Sequence, residues 1–305
     1  MHKILIDTDP GIDDAMAIFY AGLHPNVEIV GMSAVFGNID VDIATRNALV
    51  LGDMLGQPIP VARGAATPLV QDPNPVSDYV HGKEGFGDLP AQTTSRRPTK
   101  ETAAEFICRT VQENPGEIIL APVGPLTNIA AALYHDPSIA AKVKGVVLMG
   151  GGLSGGNVTD WAEANIWNDP EAANVVFAAD WPITMVGLDV TTQVLCYPDD
   201  FDPLADQAPK LGGFLRDITR FYMRFYESHY GFLGAQMHDP TAIIAITDPD
   251  LFTVETVALE VIVSGERAGQ TVRASGTSRR PVGVLTGVNA TAVKERFFST
   301  IASGH

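Results

Sequence analysis

The stretch Lys3-Ile4-Leu5-Ile6-Asp7-Thr8-Asp9-Pro10-Gly11-Ile12-Asp13-Asp14 carries an apolar run straight into four acids across a Pro-Gly turn. Residues 3–6 read as a buried strand, and residues 13–23 as a helix that His24-Pro25 ends. A buried strand that turns tightly into a helix opens a βαβ unit. The rhythm continues outward. Strands at 27–35, 59–62, 117–123, 146–149 and 183–188 alternate with helices at 41–55, 99–113, 126–134 and 170–179. Two Gly-rich loops, 64–98 and 150–168, interrupt it; residues 254–263 and 271–284 read as extra strands and hairpins, with a closing helix near 289–301. This pattern implies an α/β fold, an open, mainly parallel Rossmann-like sheet with helices on both faces. No repeat or linker breaks it, so residues 1–305 are expected to form one domain. Ligands of such sheets bind outside the carboxyl ends of the strands. Asp9, Asn38, Val123 and the loop 150–165 each follow a predicted strand and should share one rim.

The net charge of −16 disfavours phosphate backbones, so no nucleic-acid partner is expected. Apolar residues make up 46% of the chain, enough for a large core. The first six residues are too short for a signal peptide, and no apolar run has membrane-spanning length, so a cytoplasmic protein without membrane contact is expected. Cys108 and Cys196 lie far apart without metal-ligand spacing and read as reduced packing residues.

Acids in a first helical turn meet free N–H groups, which explains one or two of Asp7, Asp9, Asp13 and Asp14. It does not explain why Asp9 and Asp14 converge on a tight turn. Two carboxylates about 4 Å apart repel by roughly 4 kcal/mol at an effective dielectric of about 20. A cation between them reverses that sign. With oxygen ligands only and no Cys or His nearby, Ca²⁺ or Mg²⁺ is favoured over zinc. Asp13 and Asp14 point about 100° apart around the helix axis, so one can bind metal while the other faces a second ligand.

Further along, Met237-His238-Asp239-Pro240 reads most simply as a helix start with Asp239 as its cap. Beside that acid, His238 becomes a candidate proton donor. The loop that contains Asn157, Glu163 and Asn165 offers amides and a carboxylate, which suit sugar hydroxyls that each need a donor and an acceptor.

Together these clusters resemble the nucleoside hydrolase family, the inosine–uridine-preferring ribohydrolases, over nearly the whole chain. Asp7 to Asp14 matches the family's opening Asp-x-Asp-Pro-Gly-x-Asp-Asp; Gly37-Asn38, His81-Gly82, Gly124-Pro125-Leu126-Thr127-Asn128 and Met149-Gly150-Gly151 follow in the family's order. The resemblance implies a nucleoside hydrolase fold and Ca²⁺ held by Asp9, Asp14, Asp239 and the main-chain carbonyl of Val123. It also implies that Asp9 is general base on a calcium-bound water. Asp13, Asn38, Asn157, Glu163, Asn165 and Asp239 would hold the ribose of a ribonucleoside, and Met149 would line the sugar pocket. His238 would donate to the leaving base, with His81, Tyr226 and Tyr230 around it, although aromatic residues of a helix more often pack a core. Asp7 is left as structural support. A homodimer or homotetramer is implied as well. One departure stands out: the family's Ala-Glu-Phe-Asn is Ala162-Glu163-Ala164-Asn165 here, which enlarges the sugar pocket unless Trp161 or Trp167 refills it.

Two rival readings follow from the same residues. In a haloacid-dehalogenase-like Mg²⁺ phosphohydrolase, Asp7 would be nucleophile and Asp9 acid–base, which leaves Asp13-Asp14 and His238-Asp239 unexplained. A non-catalytic nucleoside or ribose binder would use the loop amides but has no need of a metal beside a base.

Overall fold

A computed structural model describes residues 1–275 and 279–304. Its strands, in chain order, are β1 His2–Thr8, β2 Val27–Ala34, β3 Val61–Arg63, β4 Ile118–Pro122, β5 Gly145–Met149 and β6 Ile183–Val186, then β7 Leu195–Cys196, β8 Ala235–Gln236, β9 Phe252–Val257, β10 Leu259–Val261, β11 Thr271–Arg273 and β12 Val282–Val288. Eight of them form one sheet in the order β3-β2-β1-β4-β5-β6-β12-β9. All neighbours are parallel except β12 and β9 at one edge. The expected α/β architecture is therefore present.

Helices cover both faces: α1 Ile12–Leu23, α2 Val41–Met54, α3 Asp78–His81, α4 Ala103–Glu113, α5 Thr127–His135, α6 Ala164–Asn168, α7 Pro170–Ala178, α8 Leu188–Thr191, α9 Pro198–Gln207, α10 Leu211–Tyr230, α11 His238–Thr247 and α12 Ala290–Ser303. Two apolar cores flank the sheet. Ile4 and Ile6 of β1 face one core, with α1, α10, α11 and α12, while Leu5 faces the other, with α4, α5 and α7. That alternation is the strand's period of two, with both faces buried. Strand order reverses direction between β1 and β4, the place where such sheets open a crevice at their carboxyl ends.

Several expectations need correction. Helix α4 starts at Ala103 rather than 99, because Thr102 and Glu105 form a reciprocal capping box. The loop 150–168 ends in a helix, α6, since the Glu163 carboxylate accepts the N–H groups of Asn165 and Ile166. Asp239 is not the cap of α11. That helix begins at His238 after Met237, and the Asp239 side chain is left free to enter a cavity. Strand β6 stops at Val186, where Gly187 turns the chain into α8. The loop 64–98 contains α3, and of the strands expected over 271–284, β11 ends at Arg273 and β12 starts at Val282 and runs on to Val288, with residues 276–278 outside the described residues. No described helix is long and apolar enough to cross a membrane.

Candidate active site

Strand β1 delivers Thr8 and Asp9 to the crevice, and the Pro10-Gly11 turn brings the first turn of α1 over them. Asp14 is fully buried and well supported. Its carboxylate accepts the Thr8 hydroxyl at 2.5 Å, the Gly11 N–H at 2.9 Å and the Asn38 side-chain amide at 3.1 Å. Asp9 accepts the Asn38 N–H at 2.7 Å through Oδ2, while its Oδ1 is buried without a partner. Backbone closes around this side chain: a Cβ on Gly37 would lie 2.1 Å from Asp9 Oδ2, and one on Gly124 2.7 Å from Oδ1. Only glycine permits that approach.

One carboxylate oxygen each of Asp13, Asp14 and Asp239 lies within 4.8 Å of the others, and all three residues are buried. Asp13 Oδ1 also lacks a partner. Burial, and then the charges of its neighbours, disfavours ionisation throughout. Asp13 is pushed up to about 8 by burial and by Asp14. Asp9 is raised by burial, then by Asp14 and Asp13; Asp239 by burial, then by Asp13, Asp14 and Asp9. Such a cluster is unfavourable until positive charge is placed among the oxygens.

Above the acids lies a cavity lined by Asp13, Asn38, His81, Val123, Met149, Asn157, Glu163, Asn165, Tyr226, Tyr230, His238 and Asp239. The Asn165 amide donates to the carbonyls of Val123 at 2.8 Å and Met149 at 3.2 Å, tying the ends of β4 and β5 together. Glu163 accepts three backbone N–H groups, from Gly151, Asn165 and Ile166, and burial pushes its carboxyl up to about 7. Asn157 accepts the Ala164 N–H at 3.0 Å. The loop thus spends part of its polar capacity on its own shape, while Asn157, Glu163 and Asn165 still line the cavity.

At the opposite end His238 sits between two hydroxyls, Thr191 Oγ1 at 2.8 Å from Nδ1 and the Tyr226 hydroxyl at 3.0 Å from Nε2. Burial lowers its basicity to about 4. His81 stacks on Tyr222 and accepts the Ile12 N–H through Nδ1 at 3.2 Å. Burial, and then His238, lowers His81 to about 3, so its 3.9 Å approach to Asp13 is no ion pair.

The sequence profile of the inosine-uridine preferring nucleoside hydrolases matches residues 4–295. The chain belongs to the nucleoside hydrolase family. It is 43% identical to uridine nucleosidase 1 of Arabidopsis thaliana over 91% of this chain and 83% of that one. It is 36% identical to the inosine-uridine preferring nucleoside hydrolase of Crithidia fasciculata over 98% and 96%. The solved structure of a purine-preferring ribonucleoside hydrolase from Gardnerella vaginalis superposes with a TM-score of 0.95 at 35% identity, covering 99% and 98%. The protein is therefore a hydrolase of nucleosides.

On this nucleoside hydrolase fold, twelve of the fourteen site residues expected from sequence line one cavity, and the other two, Asp9 and Asp14, are joined to it through Asn38, Asp14 also standing in the cluster with Asp13 and Asp239. Asp13 stands closer to Asp14 and Asp239 than its expected role as a sugar contact alone required. Tyr226 is at once buried in the core and part of the wall, whereas Tyr230 is half exposed. Neither Trp161 nor Trp167 lines the cavity beside Ala164. Trp161 is instead covered by the Arg267 guanidinium at 4.9 Å. Asp7 lies outside the cavity and accepts the Ser33 hydroxyl and the Asn128 amide, as support for the strand end. Sequence reasoning missed Tyr222, Gln236 and Thr191. The four-residue spacing of Tyr222 and Tyr226 puts both on one face of α10 and was a usable signal for the first.

Proposed function

We propose that this nucleoside hydrolase cleaves the N-glycosidic bond of ribonucleosides, uridine foremost, with Ca²⁺ held by Asp9, Asp14, Asp239 and the Val123 carbonyl. The observation that carries this reading is the buried acid cluster, with unpartnered oxygens on Asp9 and Asp13, directly beneath a cavity lined by sugar-suited groups. The donor set is all oxygen, as hard cations require, and the orphaned oxygens are free to take one. The Val123 carbonyl accepts the Asn165 amide on one lone pair and keeps another. Bound there, Ca²⁺ supplies a Lewis acid that positions and acidifies a water.

The chain's residues divide the remaining work. Asp9 takes the proton of the attacking water, as a carboxylate base positioned beside it. Water adds at C1′ as the bond to the base breaks, so the sugar passes through an oxocarbenium-like state and the product is inverted. The carboxylates around the ring stabilise that positive charge. Asp13, Asn38, Asn157, Glu163 and Asn165 hold the ribose hydroxyls, with Asp239 and Met149 beside it. The bonding pair leaves on the base, which receives a proton or hydrogen bond from His238 within a wall of His81, Tyr222, Tyr226 and Tyr230.

Uridine is placed first because the plant relative at 43% identity is named a uridine nucleosidase. The chain is read as one domain of a cytoplasmic protein, and the family resemblance implies a homodimer or homotetramer, which sedimentation would measure. A panel of uridine, cytidine, inosine and adenosine, assayed for free base and ribose with and without chelator, tests the reading. Uridine cleavage that is lost on chelation and restored by Ca²⁺ is expected. Phosphate release from phosphate esters in place of ribose release, or binding without turnover under every metal condition, would overturn it.

A further inference from the structure

We infer that Thr191 is a positioning residue for His238: its buried hydroxyl donates to Nδ1 and thereby holds the imidazole proton on Nε2, toward Tyr226 and the cavity. This rests on the proposed role of His238 opposite the leaving base. Thr191 is fully buried at the end of α8, and its N–H is bonded to the Gly187 carbonyl, so the residue is fixed by the turn that follows β6. Its Oγ1 lies 2.8 Å from His238 Nδ1. Two arrangements fit that distance. If Nδ1 carried the proton, the threonine hydroxyl would need another acceptor, and among the described residues His238 Nδ1 is its one hydrogen-bond partner. A buried hydroxyl proton without an acceptor is strongly disfavoured.

The other ring nitrogen is compatible with this. With the proton on Nε2, His238 donates to the Tyr226 oxygen at 3.0 Å, and the Tyr226 hydroxyl donates onward to Gln236 Oε1 at 3.4 Å. Each group then gives one proton forward, from Thr191 to His238 to Tyr226 to Gln236. With the reverse tautomer the Tyr226 hydroxyl would donate to Nε2 and accept from Tyr222 instead, so the Thr191 end, where the hydroxyl has no other acceptor among the described residues, decides the assignment. When a base enters, the Nε2–H is already on the cavity side. Thr191 does not line the cavity and acts only through the ring.

The test is ring-nitrogen NMR on the full chain supplied with Ca²⁺ and labelled with ¹⁵N-histidine, using His238→Asn to assign its signals among the seven histidines. Wild type is expected to show a bare Nδ1 and a protonated Nε2. Thr191→Val, nearly isosteric, should shift the tautomer balance by up to about tenfold, the value of one hydrogen bond, and Thr191→Ser should restore it. In turnover, Thr191→Val should slow kcat for uridine by about the same factor and leave an activated nitrophenyl riboside within about twofold. A wild-type proton on Nδ1, unchanged ring signals in Thr191→Val, or equal losses on both substrates would overturn the assignment. If no nucleoside is cleaved by wild type, the hydrolase reading fails instead, and the spectra, which need no turnover, still decide the Thr191–His238 bond.

Discussion

Replacing Asp13 by Asn should make the metal-free protein more stable and the calcium-bound protein less responsive to metal. One oxygen of Asp13 lies within 4.8 Å of oxygens of Asp14 and Asp239, and a single pair at that distance repels by about 3.5 kcal/mol at an effective dielectric of about 20. The folded protein avoids this charge by holding a proton, so Asp13 is pushed up from 3.8 to about 8, first by burial and then by Asp14. A raised acid binds more protons folded than unfolded. Its contribution is intact below the unfolded value of 3.8 and is lost as pH rises toward about 8. At about 1.4 kcal/mol per pH unit, the loss reaches about 4 kcal/mol by neutral pH. Asn keeps the shape and removes the titration. Urea unfolding in chelator at a series of pH values measures the difference between variant and wild type. That difference should be near zero at about pH 4 and rise to roughly 4 kcal/mol at neutral pH in favour of Asn. Saturating Ca²⁺ should close the gap, because it stabilises wild type more. A flat difference curve, or a variant weaker than wild type in chelator at neutral pH, would refute the reasoning.

Asp9→Asn should reduce kcat on uridine by about a thousandfold or more, since it removes a general base worth about 10²–10⁴ and weakens the metal site, while the fold survives by circular dichroism. His238→Ala should slow uridine far more than an activated nitrophenyl riboside; equal losses on both would exclude a leaving-group role. Gly37→Ala places a Cβ 2.1 Å from Asp9 Oδ2 and should displace that carboxylate, with lost turnover and a stability loss of about 2 kcal/mol or more read from the melting midpoint.

The parts of this protein that were legible in the sequence are those set by short-range chemistry. Strand β1, its turn and α1 are contiguous, so an apolar run followed by acids specifies both the topology and the metal candidates within twelve residues. Asn38 and Val123 were placed because each follows a strand, and the switch between β1 and β4 brings those ends together. Helix boundaries failed where a side chain chose the start, as Glu105 and Glu163 do. Asp239 read as a cap because local sequence cannot show that Met237 already ends the preceding chain and frees the carboxylate. Thr191 was invisible for a different reason. Its partner His238 is 47 residues away, and nothing in the local pattern of α8 distinguishes a buried hydroxyl that packs from one that orients a ring.

The site also explains why so unfavourable a cluster can persist. Asp9, Asp13, Asp14 and Asp239 are all buried and all raised, so without a cation burial and their mutual repulsion favour retained protons. Strand β1, which runs into Asp9, is anchored elsewhere too: Ile4, Leu5 and Ile6 are fully buried in cores on both faces. Glycine at positions 37 and 124 then brings rigid backbone against Asp9, which leaves that side chain no space in which to relax away from its neighbours. Repulsion that cannot be relieved by movement can be relieved only by protons, by a cation or by a cationic transition state. The same rigidity that makes the empty site costly therefore makes it selective for positive charge.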